Sequence, residues 1–149
     1  MPAELDWEER GRRCREALGF LSFLRGSWEG QGQSQGEPVQ ARFEVRLRMG
    51  DTVYQCEERL VSAQGLLLHE DLAVMRYDPQ AELVRVTHYA AHAWLSEQLV
   101  RPMSEGAFWY GGPFSPKVEL LARGADGLEV RVLLPEQDEP DTLLRYRRA

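Results

Sequence analysis

Long apolar runs are missing from this chain of 149 residues. No stretch approaches the roughly 20 apolar residues that cross a bilayer as a helix. The opening segment, MPAELDWEERGRRC, lacks the apolar core of a secretory signal. Cysteine is scarce as well. Cys14 and Cys56 are the only two, at neither metal-type nor redox-type spacing. These absences predict a reduced, cytoplasmic protein with no membrane partner. Lysine is rarer still: Lys117 stands alone among 18 basic residues. The net charge of −6 argues against nucleic acid as a partner, because no positive global field exists to hold phosphates. Arg10, Arg12, Arg13 and Arg15 do cluster, but Glu4, Asp6, Glu8, Glu9 and Glu16 surround them. A solvated, mixed-charge helix face follows.

Catalytic signatures are also lacking. There is no phosphate loop and no dinucleotide fingerprint. No serine sits in a Gly-x-Ser-x-Gly context. Cys56 stands beside Glu57 and Glu58, whose charge disfavours a thiolate. No catalytic residue is assigned on these grounds.

What the chain does have is a change of period. Residues 6–24 read as a helix. Asp6 and Glu9 form a capping-box pattern, and Cys14, Leu18, Leu21 and Leu24 recur at helical spacing. After Gly26 the period becomes two. Phe43, Val45, Leu47 and Met49 alternate with Arg42, Glu44, Arg46 and Arg48, which is a strand with one buried face. Further strands are predicted at 26–33, 52–61, 66–77, 82–89, 92–100, 105–110, 116–123, 127–134 and 141–148. Turn residues punctuate them: Gly50-Asp51, Gln64-Gly65, Asp78-Pro79, Gly111-Gly112-Pro113 and Gly124-Ala125-Asp126-Gly127. The spacing is short, with no helical period between strands. One all-β domain over 1–149 follows: an antiparallel up-and-down barrel of about ten strands, preceded by an N-terminal α-helix.

Gly26-x-Trp28 at the start of the first strand resembles the entry motif of the calycins, the lipocalins and fatty-acid-binding proteins among them. The longer form, Gly26-x-Trp28-x-Gly30-x-Gly32 after Phe23-Leu24, is similar to the nitrobindins and related bacterial barrels of unknown function. His69-Glu70-Asp71 with Arg76 is similar to a nitrobindin segment carrying His, an acidic residue two positions later, and then Arg. The resemblance implies a calycin-like barrel that binds a small apolar or amphipathic molecule, such as a fatty acid or lipid. It also implies that an Arg of the last strand lies across Trp28. Parity selects Arg148 if Leu144 and Tyr146 face inward, and Arg147 otherwise. Gly26, Trp28 and Arg148 are the expected barrel-closing residues. Haem stays open as a cofactor, although none is expected. The nitrobindins place their proximal His beyond the last strand, whereas the last His here is His92, so haem would use His69 or His88. The Arg-x-Tyr carboxylate clamp of fatty-acid-binding proteins does not transfer, because Arg145 and Tyr146 are adjacent and face opposite ways.

Alternation places Phe43, Tyr54, His88 and Tyr146 inward, and the resemblance adds His69. These residues, with Trp94, are the expected lining of a partly polar cavity. For His69 and His88 a core-edge histidine satisfied by a carbonyl or water remains the alternative. His88-x-x-x-His92 does not read as a metal site: four residues of strand span roughly 13 Å. The carboxylates look too scattered to complete one, so no metal is expected. A homodimer stays open, as does a filled barrel acting as an interaction module.

Overall fold

The computed structural model describes residues 6–91 and 94–149, and the backbone alone of Trp94. It begins with a helix, α1 (Trp7–Ala17), which passes through Leu18 into a tighter 3₁₀ segment, Gly19–Leu24. Ten strands follow: β1 (Gly26–Ser34), β2 (Glu37–Arg48), β3 (Val53–Ser62), β4 (Leu67–Asp78), β5 (Leu83–Ala90), β6 (Trp94–Ser104), β7 (Ala107–Gly111), β8 (Lys117–Arg123), β9 (Gly127–Leu133) and β10 (Thr142–Arg148). Each pairs antiparallel with its neighbour in sequence, and β10 returns to pair with β1. The sheet is a closed barrel with no free edge, which removes the unpaired backbone groups of an open sheet.

The expected single helix over 6–24 is two pieces. Asp6 accepts from the Glu9 amide at 3.1 Å and caps the first turn. Glu9 does not reach back to complete the box; its carboxylate pairs with Arg12 and Arg13 instead. No residue of α1 is buried. Leu18, Leu21 and Leu24 are, and they belong to the end of the helix and the 3₁₀ segment. The tighter winding follows Gly19 and turns Leu21 and Leu24 onto the barrel.

Topology divides the barrel into two ends. At one end lie the start of β1, the end of β10 and the hairpin turns after β2, β4, β6 and β8. The 3₁₀ segment plugs this end. Phe20 and Phe23 pack on Phe108, with ring centroids 6.1 and 5.9 Å apart. Trp28 is 2% exposed, and its indole N–H donates to the Leu24 carbonyl at 2.7 Å. The Arg148 guanidinium lies 4.2 Å from the Trp28 ring centroid. It also donates to the carbonyls of Phe23, at 3.2 Å, and Arg25. Gly26 has φ +118°, and a Cβ there would stand 2.9 Å from that same guanidinium. Parity thus places Arg148, not Arg147, over the tryptophan.

The opposite end carries the turns after β1, β3, β7 and β9. Its rim includes apolar side chains open to solvent: Leu66, Leu67 and Phe114, the last 96% exposed.

Candidate ligand site at the open end

The barrel interior is apolar at the plugged end and polar toward the mouth. One inward row of directly opposed residues runs Trp28, Phe43, Glu58, Asp71 across β1 to β4. Glu58 and Asp71 are therefore cross-strand partners with both carboxylates on the same face. Like charges directly opposed weaken a ladder, and burial adds a desolvation cost. His69 stands two residues before Asp71 on the same face, and its Nε2 lies 2.9 Å from Asp71 Oδ2. The β3–β4 register shifts between Leu60 and Val61, just where His69 meets Leu60. This irregularity ends the regular row at the mouth.

Tyr146 enters from the far side of the seam. Its hydroxyl donates to Glu58 Oε2 at 3.0 Å, from β10 across β1 and β2 to β3. Gly30 makes that reach available. A Cβ on Gly30 would stand 2.7 Å from Tyr146 Cδ1 and 2.6 Å from the Arg145 carbonyl oxygen. Phe43 packs beside the phenol, with ring centroids 5.8 Å apart. His88, one row deeper on β5, sits 5.0 Å from the Tyr110 ring.

Charge behaves accordingly. Burial, and then Asp71, push the Glu58 carboxyl up to about 7, against the opposing hydrogen bond from Tyr146. Asp71, as a hydrogen-bond partner, raises the pKa of His69. Burial lowers that of His88. Burial also raises the Tyr110, Tyr146 and Cys56 groups, so these stay neutral. The side chain of His69 is 41% exposed and that of Asp71 19%, so solvent reaches the cluster. A cleft of about 920 Å³ abuts the same stretch of wall. Inward Phe43, Glu58 and Asp71 line it together with outward Arg42, Arg59 and Tyr89. It is an open groove on the outer face of the wall, lined mainly by outward residues such as Glu29, Glu44, Glu57 and Glu70, and neither His69 nor Tyr146 lines it.

The residues singled out from the sequence divide into three groups. Phe43 and Tyr146 lie in the core below the polar cluster, and the phenol reaches up to Glu58; His69 stands nearer the mouth, and His88 lies one row below Asp71. Tyr54 does not join them. It opposes Leu47 and Met75 near the plugged end, six residues along β3 from the partner of His69, a separation of roughly 20 Å. It belongs to the core packing there. Trp94 opposes Ala90 through its backbone, and its side chain lies outside the described residues, as does His92.

Two carboxylates were missed, and the expectation of scattered acidic groups is overturned: Glu58, His69 and Asp71 each offer a donor atom within 4.8 Å of the others. The signal was available. Tyr54, Cys56 and Glu58 share one parity, and so do His69 and Asp71.

No protein-family model matches the chain, and no curated protein does. Among solved structures, a de novo designed fluorescence-activating β-barrel is similar at 18% identity and a TM-score of 0.48, over 86% of this chain and 95% of that one. No helix among the described residues is long and apolar enough to cross a membrane.

Proposed function

We propose that this chain is a calycin-like, small-ligand-binding barrel without catalytic activity, acting in a reducing compartment. Its ligand is amphipathic. The polar end meets Glu58, His69, Asp71 and Tyr146, and the apolar body lies against Phe43 and the Leu66–Leu67 rim. The observation that carries this reading is the direct opposition of Glu58 and Asp71 on the inner face. A buried carboxylate pair that costs folding energy is a candidate site for a ligand that offsets the cost. The same observation revises the fatty-acid expectation. An ionised carboxylate head would face Glu58 and Asp71, which repel it once Glu58 has lost its proton above about 7, whereas an amine or a hydrogen-bond-donating head finds acceptors.

Displacement of a fluorescent amphiphile, run in a chelating buffer, tests this. A long-chain amine should compete at least 10-fold better than the fatty acid of equal length. Glu58→Gln with Asp71→Asn should abolish the difference. Equal competition by both in the unaltered protein would overturn the assignment of the head-group site. Native mass spectrometry of freshly purified protein would identify any retained molecule.

The rival reading, haem on His69, draws on the hydrogen bond from His69 to Asp71, the kind of partner that orients a ligating imidazole. A Soret band that appears on haem addition and vanishes in His69→Ala would favour it.

A further inference from the structure

The donor set at the mouth has a chemistry of its own. One imidazole and two carboxylates converge from two adjacent strands, with all three donor atoms within 4.8 Å of one another. Nitrogen with oxygen donors suits first-row divalent ions, and the imidazole disfavours magnesium and calcium. Ligands about 2.0 Å from a tetrahedral ion stand about 3.3 Å apart. His69 Nε2 and Asp71 Oδ2, at 2.9 Å, need to open by only a few tenths of an ångström. The supporting contacts have the expected form too. The Tyr146 hydroxyl holds one oxygen of Glu58, which orients the carboxylate without occupying its other oxygen. The scaffold is strand, not loop: Glu58 opposes Asp71 in register, and His69 stands two residues away on β4, beside the register shift. Solvent exposure of His69 leaves room for water or a ligand atom as a further donor.

We propose that Glu58, His69 and Asp71 form a mononuclear site for a zinc-type divalent ion, with at least one coordination position open to the barrel mouth. The proposal rests on the reading of that mouth as the binding face. It also extends that reading. A dication cancels the two carboxylate charges and converts an amine-selective mouth into one that accepts an anionic head group directly on the metal.

The test begins with chelator-stripped full-length protein and zinc chloride alone, by calorimetry. One zinc per chain is expected. Glu58→Gln, His69→Ala and Asp71→Asn should each weaken binding at least 10-fold, and Cys14→Ser should not. Magnesium should bind at least 10-fold more weakly than zinc. Zinc should raise the melting temperature of the unaltered protein and leave that of Asp71→Asn unchanged, which separates site loss from misfolding. Absence of zinc binding, or affinity in all three variants equal to that of the unaltered protein, overturns the site. The fluorescent amphiphile assay, repeated with and without zinc, separates the two readings. Amine selectivity in chelator with no zinc binding leaves the mouth and removes the metal. Zinc binding with no amphiphile binding in either condition keeps the metal and removes the organic ligand. A gain in fatty-acid affinity on adding zinc, lost in Asp71→Asn, supports both.

Discussion

The Tyr146 ring lies directly over Gly30, with Cδ1 2.7 Å from where a Cβ would be. The contact explains why the third residue of Trp28-x-Gly30 has no side chain. The phenol must pass over β1 to reach Glu58 on β3, and any side chain on Gly30 fills that path.

Gly30→Ala should therefore destabilise the fold by about 1–3 kcal/mol, through overpacking and loss of the Tyr146–Glu58 hydrogen bond. Urea denaturation checks this. Adding Tyr146→Phe to Gly30→Ala should cost less than the sum of the two single changes, because both disturb the same contact. Strict additivity would show the two residues to be independent.

Trp28→Ala should cost about 3–5 kcal/mol, as for other buried aromatic truncations. Arg148→Ala should cost about 1–2 kcal/mol, by removing the stack on Trp28 and the hydrogen bonds to the Phe23 and Arg25 carbonyls. Amide exchange should become faster across Gly19–Leu24 in the Arg148 variant. An unchanged exchange pattern there would mean that the guanidinium does not hold the plug.

Stability of the metal-free protein should fall as pH rises from about 5 to about 8. Folded Glu58 keeps its proton up to about 7, above the 4.5 of an ordinary Glu. Between those values folding takes up a proton, so stability declines with rising pH through this window and then levels. His69 acts in the same direction, because its pKa is raised above 6.5: its contribution is full below that value and is lost as pH climbs through the folded one. His88 opposes both. Its lowered pKa brings a gain in stability as pH rises toward 6.5. The net fall should be about 1–3 kcal/mol, and Glu58→Gln should remove more than half of it. Denaturation midpoints measured in chelator at both pH values decide the point, and a midpoint that rises with pH would contradict it.

Thiol chemistry offers an independent check on the interior. Cys56 is 2% exposed, and burial pushes its thiol up; Cys14 is partly open. An aromatic disulfide reagent should modify one thiol quickly and the second at least about 100-fold more slowly, until denaturant is added. Two equally fast thiols would place Cys56 outside the barrel.

The period-two run through Phe43, Val45 and Leu47 was legible because one face of each strand is wet, and Arg42, Glu44 and Arg46 mark it. Trp28 and Arg148 were legible together, because alternation along β10 leaves only one Arg on the inner face. The carboxylate pair was harder. Glu57 and Glu58 are adjacent and chemically alike, and only their parity with Tyr54 and Cys56 says that Glu58 faces inward. The opposition of Glu58 to Asp71 depends on the β3–β4 register, and the irregularity between Leu60 and Val61 shifts that register from the one a regular hairpin would set. Tyr54 was grouped wrongly for a related reason. Parity reports the face of a residue but not its height along the barrel.

The contact from Tyr146 to Glu58 spans 88 residues of sequence. It exists only once β10 has docked on β1, the most distant strand pairing in the chain. Folding must pay that long loop closure before the contact rewards it, so the polar mouth is among the last features to assemble. A ligand at the mouth would bind closed barrels in preference to chains whose seam is still open. Occupancy would pull the population toward closure in proportion to ligand concentration. Ligand binding at the mouth and closure of the β1–β10 seam would then be linked equilibria.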